Sequence, residues 1–172
     1  MLIEFICKKA FVIFKFSNKK EKIMNHDLNS PPTYFFGSII LMIVIHFLFP
    51  IESLISTPYN FLGPAVIILS LYASFWASNY FEKVNTTVIP FEKSSQLVTV
   101  GLFKFTRNPM YLSMLVCLIG LGILLGSLSP FIFVPIFFTV INFYFIRGEE
   151  KMMEETFGKE YLSYKNSVRR WI

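Results

Sequence analysis

Two long stretches of the chain, from Lys22 to Lys83 and from Arg107 to Arg147, are free of Lys and Arg between their ends and are dominated by Phe, Ile, Leu and Val. Each is long enough for two apolar helices of roughly 20 residues joined by a turn. Proline and glycine divide them further. Ser30-Pro31-Pro32-Thr33 breaks the chain and offers a cap, which places a first span over about 34–51; Asn60 through Gly63-Pro64 opens a second over about 61–77. A third span over about 111–125 ends at Gly126, and Ser129-Pro130 caps and opens a fourth over about 130–146. The pattern predicts an all-α membrane protein with about four transmembrane helices. The third and fourth are joined by only a few residues, so they are antiparallel neighbours, and the entry of one lies at the same membrane face as the exit of the other.

Composition supports a membrane protein: 54% of the 172 residues are hydrophobic and 18% aromatic, against roughly 45–50% apolar residues in soluble domains. A net charge of +5 could suggest nucleic acid, but the sixteen Lys and Arg fall into three blocks, Lys8 to Lys22, Lys83 to Arg107 and Arg147 to Arg170. Topology explains that grouping better. The positive-inside rule puts all three blocks, and with them both termini and the middle loop, in the cytoplasm. The domain plan is a cytoplasmic N-terminal extension, 1–33, and one membrane-embedded domain, 34–172, with a helical C-terminal tail, 147–172. Met1 to Phe16 is interrupted by Lys8 and Lys9, is too short to span and lacks a small-residue cleavage site, so it is not a signal peptide. It is either an interfacial amphipathic piece or an upstream extension, with Met24 the true start.

Cys7 and Cys117 are predicted in a tail and inside a span, which gives no disulfide framework. His26 and His46 are equally separate, so no metal site is expected. His46 should be packed and hydrogen-bonded, and Gly120 and Gly122 read as helix-packing positions. The segment from Asn79 to Thr106 is a long cytoplasmic loop whose aromatic content suggests that it lies on the membrane face. In the tail, one short helix from Glu149 to Thr156 should stop at Phe157-Gly158. A second carries Tyr161, Tyr164, Val168 and Trp171 as an aromatic and apolar stripe opposite Lys165 and Arg169, able to dock on the bundle or at the interface.

The candidate chemistry is concentrated at Gly101-Leu-Phe-Lys-Phe-Thr-Arg-Asn-Pro-Met-Tyr-Leu112, where a basic approach enters the third span. Asn108 is the expected N-cap and Pro109 the first helical residue. The free N–H groups of that helix start, with Arg107 beside them, suit a carboxylate or phosphate. Ordinary topology accounts for the same residues. Glu149-Glu150 is harder to explain so simply, because paired carboxylates at the end of a membrane helix repel one another unless a cation lies nearby. A ligand carrying both an amine and a carboxylate would satisfy both groups; a solvated charge pair is the competing account.

Thr86-Thr87-Val88, Gly101-Leu-Phe, Arg107-Asn108-Pro109-Met110-Tyr111-Leu112, Glu149-Glu150, and Phe157-Gly158 through Tyr161, Tyr164 and Val168-Arg169-Arg170-Trp171 resemble, in order and spacing, the integral-membrane methyltransferases related to isoprenylcysteine carboxyl methyltransferase and the phospholipid N-methyltransferases. The resemblance runs from about Asn85 to the end. It implies S-adenosylmethionine as cofactor, held at the cytoplasmic face by Gly101, Arg107, Asn108, Pro109, Tyr111, Leu112, Glu149, Glu150 and Tyr161, and a lipid-like or prenylated acceptor entering from the bilayer. Within that set it implies Arg107 for the cofactor carboxylate and Glu149 or Glu150 for its amine or ribose hydroxyls, or as base for an amine acceptor. The eukaryotic prenylcysteine enzymes have His where this chain has Asn108, which removes a titratable group. Two alternatives remain open: an NADPH-dependent reductase of the sterol type, whose Arg-x-Pro-x-Tyr motif is similar, and a non-enzymatic membrane scaffold.

Overall fold

The structure is a computed structural model and describes residues 30–83 and 96–172. The expectations for residues 1–29 and for the Thr86-Thr87-Val88 motif lie outside the described residues. The fold below concerns the compact unit Phe35–Ile172.

The described residues are helical: α1 (Pro31–Leu48), α2 (Leu62–Lys83), α3 (Pro109–Leu125), α4 (Phe133–Val140), a π-helical stretch over Ile141–Ile146, α5 (Arg147–Phe157) and α6 (Lys159–Ser167), with short 3₁₀ turns at Tyr59–Phe61, Gly101–Lys104 and Ser129–Ile132. Among the described residues, three helical stretches are long and apolar enough to cross a membrane: Pro31–Leu48, Tyr59–Tyr80 and the continuous Ser129–Phe157. Pro109–Leu125 is shorter. Its 17 residues rise about 26 Å.

Several boundaries differ from the sequence expectation, and the C-terminal ones do so for one physical reason. A change from apolar to charged residues marks where hydrocarbon ends, not where a helix ends. Glu, Lys and Met are strong helix formers, so the fourth span does not stop at Ile146 but continues through Arg147 to Phe157. α2 likewise runs past Ala77 to Lys83. Pro31 opens α1 rather than breaking the chain before it, because proline is favoured at a helix's first position.

Two apolar clusters hold the unit together. In the larger, Phe35 and Met42 of α1, Cys117 and Leu118 of α3, and Phe137, Ile141, Phe145 and Ile146 of the fourth span pack on one another. The smaller joins Ala77 of α2, Val98 and Phe103 of the loop, and Tyr161 and Tyr164 of α6. The aromatic stripe therefore docks on the bundle. On the opposite faces Phe36, Ile40, Leu41 and Phe47 of α1 and Ile68, Leu69, Tyr72 and Phe75 of α2 are exposed. That much outward apolar surface belongs in lipid.

α2 and α3 form the most extensive helix pair. A Cβ on Gly63 would meet the Gly120 carbonyl oxygen at 2.6 Å, and one on Gly120 would meet Ile67 Cγ1 at 2.9 Å. The two backbones touch. Gly122 faces the Phe131 ring, so both predicted packing glycines pack, each against a different helix. At the same end of α3, Gly126 turns with φ 77°, Ile55 N donates to its carbonyl at 3.0 Å, and Ser53 and Ser127 form an antiparallel bridge. His46 Nδ1 lies 2.7 Å from Ser127 Oγ, the packed and hydrogen-bonded histidine that the sequence predicts.

Candidate functional site

The other end of α3 carries the charge. Pro109 opens the helix as expected, but Asn108 makes no side-chain cap. Its amide nitrogen donates instead to the Arg170 carbonyl at 3.0 Å, and the Thr106 hydroxyl accepts from Asn108 N at 3.2 Å. The chain after α6 is the reason. Arg107 N donates to the Arg169 carbonyl at 3.0 Å, and Thr106 Oγ1 to that of Arg170 at 3.1 Å. Three consecutive residues of the entrance are thus fastened to the tail, and Asn108 serves that seam.

Glu150 lies where this seam meets α5. Arg170 approaches its carboxylate in a fork, Nε to Oε1 at 2.8 Å and Nη2 to Oε2 at 2.6 Å. Arg107 Nη2 stands 3.2 Å from Oε1, both side chains being 8% exposed. Lys165 Nζ lies 3.9 Å from Oε2 and pairs more closely with Glu154. A buried carboxylate is costly unless cations compensate it, and two guanidinium groups and an ammonium do so here. Hydrogen bonding to Glu150 holds the Arg170 guanidinium still further toward its charged form, against the opposing effect of its partial burial.

Glu149 has a different neighbour. It accepts from the Tyr111 hydroxyl at 2.6 Å, so the two adjacent glutamates point to separate partners. Tyr161 stands 3.5 Å from Arg107 Nη1 through its hydroxyl. Burial first, and then the Glu150 charge, push its phenol up to about 12, with Arg107 pulling the other way. Tyr164 donates to the Phe103 carbonyl at 2.6 Å, anchoring α6 beneath the entrance. Burial, with Tyr161 adding to it, raises its phenol as well.

The structure therefore brings together Arg107, Tyr111, Glu149, Glu150 and Tyr161, with Asn108 and Pro109 shaping the helix start. Leu112 contributes through its backbone, closing the first α3 turn by donating to the Asn108 carbonyl at 2.9 Å. Gly101 plays a conformational part: at φ +64° it lies against the Trp76 ring, where a Cβ would collide with the indole. Arg147, expected at the same depth as Arg107, is exposed and places its guanidinium 4.2 Å above the Phe143 ring. Three residues of the network have no individual site role in the sequence reading: Thr106 and Arg170, which it includes only within longer motifs, and Asn142. Asn142 accepts from Arg170 Nη1 at 3.1 Å and from the Trp171 indole at 3.3 Å. A lone amide in the apolar run from Phe131 to Ile146 was the available signal. It sits in the π-helical stretch, a distortion frequent at functional sites. Trp171, expected as an interfacial anchor, is tied to Asn142 and lies 4.9 Å from the Phe138 ring.

One polar atom at this end is unsatisfied. Arg107 Nε is buried and has no hydrogen-bond partner among the described residues, although such groups are rarely left unpaired. A guanidinium presents its Nε–H beside its Nη donors in one plane, the arrangement that grips a carboxylate or phosphate in two places. The donor set thus suits a ligand carboxylate, with Glu149 and Glu150 close by for a cationic part.

Comparison with known proteins accords with this geometry. The phospholipid methyltransferase family profile matches residues 59–160, which cover α2, α3, the fourth span, α5 and the start of α6. Protein-S-isoprenylcysteine O-methyltransferase of Saccharomyces cerevisiae is 32% identical over 140 residues, 76% of this chain and 58% of the yeast protein. The chain thus spans little more than half of that relative. An uncharacterized protein of Haemophilus influenzae is 44% identical over 63 residues, all of that protein and 37% of this chain. With more than half its length matched by the profile, the chain belongs to the phospholipid methyltransferase family of membrane proteins and is related to the isoprenylcysteine O-methyltransferases.

Proposed function

We propose that the protein transfers a methyl group from S-adenosylmethionine to a lipid-like acceptor, with chemistry of the isoprenylcysteine carboxyl methyltransferase type, at the cytoplasmic face of the membrane. The observation that carries this reading is the buried Arg107 Nε, unpartnered among the described residues and set beside the Glu149-Glu150 pair at a helix entrance, in a chain of this family. The cofactor supplies a methyl already electrophilic on its sulfonium sulfur. The protein's part is to orient and to exclude water. Arg107 grips the cofactor carboxylate. Glu149, held by Tyr111, takes the amine or a ribose hydroxyl, and Tyr161 lines the adenosyl part.

A carboxylate acceptor needs no base. An amine acceptor must lose a proton, and Glu149 is the better base, since the Glu150 carboxylate is engaged by two guanidiniums. The membrane arrangement that goes with this reading has four spans, Pro109–Leu125 being the short one, and both termini in the cytoplasm by the positive-inside rule. The acceptor reaches the site sideways from the bilayer.

The test is incubation of protein in lipid bilayers with methyl-tritiated S-adenosylmethionine and either a prenylcysteine or a phospholipid. Label released by mild base marks a methyl ester, and base-stable label marks N-methylation. Glu149→Gln should lower transfer strongly in either case. Absence of label in every lipid fraction, from protein shown to be folded, would overturn the reading.

A further inference from the structure

The two arginines that share Glu150 are not equivalent. Arg170 has the shorter contacts to both carboxylate oxygens, 2.8 and 2.6 Å; Arg107 has one at 3.2 Å. Arg170 is also fixed at both ends, its carbonyl accepting from Thr106 Oγ1 and Asn108 Nδ2 and its Nη1 donating to Asn142. Arg107 keeps a buried donor with no partner among the described residues. A carboxylate gripped by one guanidinium in a fork has only the outer lone pair of each oxygen left, so a second guanidinium can make single contacts but not the same fork.

Resting on the methyltransferase reading, we propose that Arg170 is a positioning residue: by occupying both oxygens of Glu150 it keeps Arg107 from closing into its own bidentate pair and so reserves the Arg107 Nε–H for the carboxylate of the cofactor. Asn142 holds Arg170 in place from the π-helical stretch. The tail after α6 thereby sets the anion affinity of a residue more than sixty positions earlier in the chain.

Competition of this kind has a signature that a merely structural contact lacks: a second substitution at the competitor restores what the first removes. In Arg170→Met, Arg107 turns onto Glu150, and affinity for S-adenosylmethionine falls about tenfold or more, the size of one charge-assisted contact. In Arg170→Met/Glu150→Gln the competing charge is gone, Arg107 is released and most of the affinity returns. Calorimetry on detergent-solubilised full-length protein reads all three. Binding by the unsubstituted protein with equal binding by Arg170→Met, or a double variant no better than the single one, overturns the inference and leaves the methyltransferase reading standing. No binding by the folded unsubstituted protein overturns both. Thermal unfolding without ligand checks each variant. If Arg170→Met is not folded, Arg170→Lys is measured in its place. Lysine keeps the charge but lacks the fork, so its affinity is expected between those of the unsubstituted protein and the double variant's single parent, and an affinity unchanged from the unsubstituted protein counts against the proposal.

Discussion

The two ends of α3 are closed in opposite ways. At one end small residues let backbones meet: Gly63 lies on Gly120, Gly126 accepts from Ile55 N, and Leu128 N lies 3.2 Å from the Ile51 and Glu52 carbonyls. Nothing there depends on a formal charge. At the other end Arg107, Arg170 and Lys165 form one charge network around the buried Glu150, stitched to the tail by three bonds from Thr106, Arg107 and Asn108. Close backbone contact fills space, and the buried polar atoms left without a partner there among the described residues, Asn60 Oδ1 and Ser129 Oγ, carry no charge, whereas the charge network holds a cationic donor, Arg107 Nε, in reserve. Where side chains rather than backbone make the closure, a ligand has something to exchange with.

Four substitutions or titrations would break or sharpen that contrast. The largest effect is expected for Glu150→Ala, which strands two guanidiniums around a buried site: a loss of about 3–5 kcal/mol, seen as a lowered unfolding midpoint in detergent. Gly120→Val attacks the glycine end by forcing a branched side chain onto Gly63 and Ile67. It should cost about 1–3 kcal/mol while leaving the affinity of the folded fraction for cofactor unchanged. His46→Ala removes one hydrogen bond to Ser127 and should cost only about 0.6–1 kcal/mol, again without touching affinity. The remaining effect is alkaline. The Tyr161 phenol is raised in the folded state to about 12 from an ordinary value of 10.0, so folding favours its protonated form. That contribution is complete below pH 10 and is lost as the pH rises through about 12. Ultraviolet titration of Tyr161→Phe against the unsubstituted protein should show one fewer late-ionising phenol, and an equal count would contradict the burial assigned to it.

Much of this was legible in the residues. Apolar runs bounded by Pro and Gly located the helices, and the glycines at 120 and 122 and the histidine at 46 were placed correctly because each is a chemical exception within its run. Helix ends past Ala77 and Ile146 were not legible, since hydropathy reports the solvent and the backbone preference of Glu, Lys and Met carries the helix on. Arg107, Tyr111, Glu149, Glu150 and Tyr161 were visible as chemistry-bearing residues around a short entrance. What separates Glu149 from Glu150 was not, because it depends on Arg170 and Asn142, and a tail arginine beside a tryptophan has the same composition as an interfacial anchor. Asn108 illustrates the same limit: its identity suits a cap, but the tail running past it offers its amide a carbonyl instead.

The most direct test of the account is calorimetric titration of the solubilised protein with S-adenosylmethionine, in parallel with NADPH and with the Arg107→Ala variant. Saturable binding of S-adenosylmethionine, weakened about tenfold or more in Arg107→Ala and absent for NADPH, is the predicted result. Binding of NADPH in its place, or binding of S-adenosylmethionine that Arg107→Ala leaves intact, would contradict the claim that the charged end of α3 is a cofactor site.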